Sequence, residues 1–272
     1  MLGQRLIAGG LSALAIALTT APASAQAPDH ATLAFTLTAS DGHGEIYVMR
    51  SDGSGRRRLT GGTVPLSRHT PSSFEPAWSP DGGRLAFVRA KDYLSRSGVR
   101  TLDLATGRTL TLTSGHYDYG PAWSPDGARI AFARGEGQGG SSIFLVPAGG
   151  GVATRLTPAS KYHDDSDPAW APDGSAIAFS RTTFRPKARR IDQDVFVMSA
   201  DGTDAHRLAS AARSPAWSPD RSRIAFLSDR DRNGETCFEE CSVNNELYVM
   251  DADGGGQQRL TRTKGDERGP AW

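Results

Sequence analysis

The chain has 272 residues, of which 38% are hydrophobic and 22% charged, with 31 Lys and Arg against 30 Asp and Glu. That balance gives no general pull toward nucleic acid or an anionic membrane surface, which excludes a nucleic-acid-binding reading on charge. Beyond the first 25 residues no apolar run is long enough to cross a bilayer, so no transmembrane segment is expected.

Residues 1–25 carry one charge, Arg5, then an apolar run from Leu6 to Leu18 and small residues ending Ala23-Ser24-Ala25. This pattern predicts a secretory signal peptide cleaved before Gln26, and residues 26–272 as one exported domain, periplasmic or secreted. About 247 residues are ample for a single all-β domain. Removal of the leader also removes Arg5 and leaves equal numbers of acidic and basic residues.

The mature chain then writes one phrase repeatedly. Leu33-Ala34-Phe35 opens it, and Pro76-Ala77-Trp78-Ser79-Pro80-Asp81-Gly82 runs into Leu85-Ala86-Phe87. The phrase returns at Trp123, Trp170 and Trp217, each followed by Ile-Ala-Phe, and Pro270-Ala271-Trp272 begins it once more. The steps between tryptophans are 45, 47, 47 and 55 residues, a period that signals propeller blades. Each unit adds a strand of the Glu45-Ile46-Tyr47-Val48-Met49 type and an outer strand of the Arg58-Leu59-Thr60 type. Short β-branched and aromatic runs between Gly, Asp and Pro turns predict an all-β propeller of four-stranded antiparallel blades.

Five of each strand type are present, but the chain starts on the second type and stops on the first. The reading is therefore a closed five-bladed ring, the terminal Pro-Ala-Trp pairing with the first three strands, or a truncated six-bladed one. In the Ser-Pro-Asp-Gly turn, Pro presets φ and Gly suits the fourth position of a type I turn. Arg221 replaces that Gly in one copy, at a cost of about 1 kcal/mol if φ is positive there. The tryptophans read as core, packed between blades.

In a meander the short repeated turns fall on one face and the long, dissimilar connections on the other, and variable loops on a rigid frame are where binding resides. Next to the expected channel mouth on that face stand His69, Glu75, His116, Tyr117, Asp118, His163, Asp164, Asp165, Asp167, Asp266 and Glu267. Histidines and carboxylates converging on one axis suit a metal or a cationic partner group, the alternative being a solvated polar rim. A basic loop with Arg185, Lys187, Arg189 and Arg190 suits an acidic protein or glycan. His30, His43 and His206 are placed away from the working face.

Asp229, Asp231, Asn233 and Glu240 fit a calcium-loop spacing, with a polar hairpin tip as the alternative. Cys237 and Cys241 lie four apart in the same loop, and in an oxidising compartment a local disulfide is the default. The chain lacks a G-x-S-x-G elbow, an H-E-x-x-H pair and a phosphate-binding glycine loop.

On Pro-Ala-Trp-Ser-Pro-Asp-Gly, Ile-Ala-Phe, Ser228-Asp229-Arg230-Asp231, Glu246-Leu247-Tyr248-Val249-Met250 and Arg259-Leu260-Thr261, the chain resembles the WD-like propeller repeat of the TolB family. The resemblance covers nearly the whole mature chain. It implies a periplasmic module that docks an envelope protein or lipoprotein, peptidoglycan-associated in the family's namesake. No cofactor is required on this reading, calcium being the exception at the 229–240 loop, and a monomer is expected. The chain departs from that family's pattern by having no room for an amino-terminal α/β domain and by having five units rather than six. The rival expectation is a propeller-fold polysaccharide lyase or glycosidase working through polar loops at the channel mouth.

Overall fold

The computed structural model describes residues 32–39, 43–61, 72–90, 96–114, 116–137, 139–188, 190–230, 245–263, 267 and 269–272. The expected signal peptide, His69, Arg189, Asp266, Cys237 and Cys241, and the calcium-pattern residues Asp231, Asn233 and Glu240 lie outside them.

The described chain is antiparallel sheet almost throughout. The first unit contributes β1 (Thr32–Thr38), β2 (Gly44–Arg50) and β3 (Arg57–Arg58). The second contributes β4 (Ser72–Trp78), β5 (Arg84–Ala90), β6 (Ser97–Asp103) and β7 (Thr109–Thr111). The third holds β8 (Tyr117–Trp123), β9 (Arg129–Gly135), β10 (Ser141–Pro147) and β11 (Thr154–Arg155). The fourth holds β12 (His163–Trp170), β13 (Ala176–Arg185), β14 (Arg190–Ser199) and β15 (His206–Ser210), with a 3-10 turn Pro186–Ala188 at its long hairpin tip. The fifth holds β16 (Arg213–Trp217), β17 (Arg223–Ser228), β18 (Glu246–Asp251) and β19 (Gln258–Arg259).

Within each unit neighbouring strands pair in sequence order, and a single parallel bridge between Ser141 and Asp164 ties the third sheet to the fourth. The tryptophan-bearing strands β4, β8, β12 and β16 neighbour one another and form the inner layer, while the short β3, β7 and β11 are exposed. Alternation along each strand sends one set of side chains toward the preceding sheet and the other toward the next. Ile143 and Phe179 thus share one core cluster, and Phe132 and Phe144 share another with Ala86 and Val99.

Three of the five tryptophans tie adjacent sheets, while the buried indole nitrogens of Trp78 and Trp217 have no hydrogen-bond partner among the described residues. Trp123 donates its indole N–H to the Ala77 carbonyl at 3.1 Å, and Trp170 to Ala122 at 3.2 Å. An arginine of the preceding sheet lies over each ring, Arg84 on Trp123 at 4.7 Å and Arg129 on Trp170 at 5.1 Å. Trp272 repeats the arrangement, donating to Ala216 at 3.0 Å under Arg223. The expected pairing of this terminal Pro-Ala-Trp with β1 is not formed among the described residues, where the first sheet has three strands in the order β1-β2-β3.

The outer strands are shorter than the sequence suggests, for a local reason. In Arg-Leu-Thr the threonine leaves the ladder and its hydroxyl accepts the N–H of the neighbouring strand: Thr60 from Ile46, Thr113 from Val99, Thr157 from Ile143 and Thr261 from Leu247, each at 2.9 Å. The fourth unit has Ala209 at this position, with no hydroxyl to offer. There the backbone ladder continues instead, pairing Val195 with Ala209 and Asp194 with Ser210.

The repeated turn closes as expected, with Gly82 N–H donating to Ser79 O and Gly127 N–H to Ser124 O at 2.9 Å. The serine hydroxyl donates to the turn aspartate, which also accepts the backbone N–H two residues on, as in Asp81 with Gly83 at 3.0 Å. These bonds hold the Asp81 and Asp126 carboxyls below their ordinary value, and Asp220 at about 2. Arg221 does sit at positive φ, 64°. Its guanidinium forms an exposed ion pair with Asp173 of the fourth sheet, a contact worth less than about 1 kcal/mol. Arg221→Gly removes about 1 kcal/mol of backbone strain, so the variant is expected to melt no lower than the parent and up to a few degrees higher, read by thermal unfolding.

Candidate functional site

The connections between the second and third strands of each unit, and those from one unit to the next, lie at one end of the sheets, and two features gather there: the mouth of the inner layer and a cleft between the fourth and fifth sheets. The inner layer is shaped by a bulge that the sequence does not announce. In each inner strand the register slips just before Pro-Ala, and the residue preceding that proline is left-handed: Glu75 at φ 54°, Gly120 at 60°, Asp167 at 50°, Ser214 at 50° and Gly269 at 54°. Only the two glycines take this conformation without strain, and the other three hold a polar side chain toward the axis at a cost of about 1 kcal/mol or more each.

These side chains meet one another. Glu75 accepts the Gly120 N–H at 2.7 Å, reaching from the second sheet to the third. Asp167 accepts from the Ser180 hydroxyl at 3.0 Å and the Ser214 hydroxyl at 3.3 Å. Tyr119 donates to Ser141 at 2.8 Å, whose hydroxyl lies 3.4 Å from Asp164. Glu75 is wetted from the axis yet enclosed by protein, and this desolvation pushes its carboxyl up; the Gly120 bond opposes the shift and Asp167 adds to it. Burial pushes the Tyr119 phenol up to about 12, with Asp164, Asp167 and Glu75 contributing.

The sign of the Glu75 shift has a consequence for stability. The folded chain keeps this proton to higher pH than the unfolded chain, whose carboxyl titrates near 4.5, so the folded state binds more protons in between. Stability linked to Glu75 is therefore full below 4.5 and falls as pH rises through the folded value. Glu75→Gln keeps an acceptor for Gly120 and carries no charge; it is expected to raise the melting temperature at pH 8 and leave it unchanged at pH 4.

The constellation His116, Asp118, His163, Asp164 and Asp165 is divided by the fold. Asp118 is fully buried and takes both oxygens to Arg134, at 2.7 and 2.9 Å. Asp165 does the same with Arg181, at 2.6 and 2.8 Å. Each guanidinium also lies over an aromatic pair, Phe132 with Phe144 and Phe179 with Phe196. These carboxylates are structural counter-ions turned away from solvent, and among the described residues no three His, Cys, Asp or Glu side chains are grouped to hold a metal ion. His116 and Tyr117 are exposed at the start of β8. His163 is half-buried, and burial followed by the Arg181 charge holds its imidazole below the ordinary value. Glu267 is bonded to Thr263 at 3.1 Å.

His43 belongs to the loop end rather than away from it, because β1 and β2 are joined there. It is 5% exposed, with Nε2 at 2.8 Å from Glu45 and Nδ1 at 3.2 Å from the Ser72 hydroxyl. Serine, histidine and glutamate are the residue types of a hydrolytic triad, but Ser72 is 3% exposed, which leaves no approach for a substrate carbonyl. The chain of bonds instead joins the first sheet to the second. Sequence distance hid it, since Ser72 lies in a different unit from His43.

The cleft has a volume of about 720 Å³ and is lined by Arg185 and Ile191 to Asp194 of the long β13–β14 hairpin, Arg207 and Ser210 from β15, and Asp229 with Arg230 after β17. Arg185 is bound to Asp192 at 2.5 Å and Arg207 to Asp194 at 3.5 Å; both guanidiniums are more than half exposed. Ile191 is 63% exposed beside them. Of the basic loop, Arg185 thus reaches the cleft, and Lys187 is exposed on the 3-10 turn.

Comparison with known proteins agrees with this architecture. Residues 62–183 match the family model of the TolB beta propeller domain. TolB from Acinetobacter baumannii superposes with a TM-score of 0.62 at 21% identity, over 87% of this chain and 54% of that one, so this chain spans about half the length of that protein. A putative TolB from Agrobacterium tumefaciens gives 0.60 at 21% identity, over 84% and 76% of the two chains. An oligogalacturonate lyase from Vibrio parahaemolyticus gives 0.52 at 14% identity, over 91% and 78%. At these identities the likeness is one of fold. No curated protein matches the sequence. Over residues 62–183, somewhat less than half of its length, the chain is similar to the TolB beta propeller domain family.

Proposed function

We propose that this protein is an exported, non-catalytic binding module of the cell envelope that meets a protein partner through its loop end. The observation that carries the reading is the division of polar groups between the two ends. At the frame end each Ser-Pro-Asp turn satisfies its own donors and acceptors. At the loop end Tyr117 and Tyr162 are exposed, and exposed Ile191 lines the 720 Å³ cleft together with two guanidiniums more than half exposed. Aromatic and arginine side chains on a rigid frame are what protein interfaces favour.

The test compares wild type with Tyr162→Ala/Ile191→Ser at the loop end and Val152→Ser at the frame end. Each is used to capture proteins from an envelope fraction, with identification and measured affinity, and each is assayed on a panel of glycans. The reading expects a defined partner retained by Val152→Ser and weakened at least roughly tenfold by the loop-end pair. Turnover of any glycan, or equal capture by all three proteins, would falsify it.

A further inference from the structure

The third and fourth sheets share a side-chain arrangement, and the second sheet keeps its arginine while departing from the rest of it. On the face toward the preceding sheet, two cross-strand rows lie near the loop end. In the third and fourth sheets the first row reads Asp118–Arg134–Ser142 and Asp165–Arg181–Asp194, and the second places Phe132 beside Phe144 and Phe179 beside Phe196. The arginine is held twice, by the carboxylate and by the aromatic pair beneath it.

The second sheet breaks both rows. Its first row is Ser73–Arg89–Gly98, so the carboxylate is replaced by a hydroxyl and the third position has no side chain. Its second row is Phe87–Arg100–Thr111, so the outer aromatic is replaced by a second guanidinium. Arg89 and Arg100 are diagonal neighbours on one face, both half-buried. Arg89 donates to the Ser73 hydroxyl at 3.0 Å, and among the described residues neither arginine has a carboxylate partner.

Two like charges facing one another in a partly desolvated place repel, and an anion between them relieves the repulsion while accepting from both forks. The Arg100 guanidinium is already held below its ordinary value, by burial first and by Arg89 second. In the other two sheets that have an arginine at this position, the third and fourth, it carries its own carboxylate, which marks the missing acceptor as oxygen-bearing and negative; the first and fifth sheets have Leu37 and Ser228 there. The seat is framed on its remaining sides by Ser73 and Thr111, both able to donate a hydroxyl.

We propose that the Arg89–Arg100 pair, with Ser73, is a binding seat for an oxyanion, a carboxylate, sulfate or phosphate group carried by a ligand at the loop end between the first and second sheets. The seat stands on the repeat comparison alone and is separate from the cleft between the fourth and fifth sheets. Ser73→Asp supplies the counter-ion that the third and fourth sheets carry, and Arg100→Phe restores the aromatic.

The experiment titrates intact protein with sodium acetate, sulfate and phosphate at matched ionic strength, reading the melting temperature and the heat of binding. Wild type is expected to show a saturable rise with at least one of the three anions. Acetate acting alone identifies a carboxylate, whereas sulfate or phosphate acting alone identifies a tetrahedral group. Ser73→Asp is expected to melt higher than wild type without anion and to bind it on the order of tenfold more weakly, and Arg100→Phe to lose the saturable response. Wild type responding to none of the anions, or all three proteins responding alike, overturns the proposal, and either variant suffices should the other not fold.

Discussion

Asp165→Ala is expected to destabilise the protein by about 3–5 kcal/mol, because it strands the Arg181 guanidinium inside the fourth sheet without a counter-ion. Asp165 is fully buried and Arg181 is nearly so, and the two bidentate bonds at 2.6 and 2.8 Å have no solvent to replace them. Removing both charges is a different experiment. Asp165→Leu/Arg181→Met keeps the volume, still covers Phe179 and Phe196, and leaves no buried charge, so it is expected to recover most of the loss. Urea unfolding of the two variants and the parent measures this directly. Had Asp165 been a metal ligand or partner contact, the alanine variant would lose binding and keep its midpoint, which is the outcome that would refute the structural role.

Phe179→Ala is expected to cost a similar amount, about 3–5 kcal/mol, chiefly through the cavity it leaves, with the loss of the ring under Arg181 adding to it. Phe179 has no exposed surface, lies tilted against Phe196 with ring centroids 5.7 Å apart, and fills the space against Ala131, Ala133 and Trp170 of its core cluster. A cavity there leaves the rigid sheets on either side unable to collapse fully, which is what sets the size of the loss. Val152→Ala is the matched control: Val152 is 87% exposed, and its truncation is expected to move the urea midpoint by less than about 0.5 kcal/mol. A Phe179 variant no weaker than that control would mean that the sheet interfaces are not the core.

Much of the frame was legible because its signals are local. Pro, Asp and Gly at fixed offsets make the turn, Ile-Ala-Phe alternation makes the strand, and recurrence at a 45–55-residue period makes the sheets equivalent. The outer strands were misjudged by a residue or two because a threonine hydroxyl can replace a backbone partner, a substitution that composition does not reveal. The rim residues show the limits more plainly. Asp118, Asp164, Asp165 and Asp167 look alike in sequence, yet alternation sends Asp165 inward to Arg181 while the bulge turns Asp167 toward the axis. The partner of Asp165 lies 16 residues away, on the next strand.

The sequence by itself determined the repeat, its strand order, the turn that closes each hairpin and which end would carry unlike connections, since all of these depend on residues within one unit. Which charges are neutralised within the frame and which remain exposed follows from the folded arrangement. Neutralisation of Asp118 and Asp165, the linkage of His43 to Ser72, and the two half-buried arginines in the second sheet left without a carboxylate among the described residues depend on side chains meeting across strands and sheets. Burial then fixes what those meetings are worth, because a carboxylate or guanidinium removed from water needs a partner at hydrogen-bonding distance, and no linear pattern states that distance.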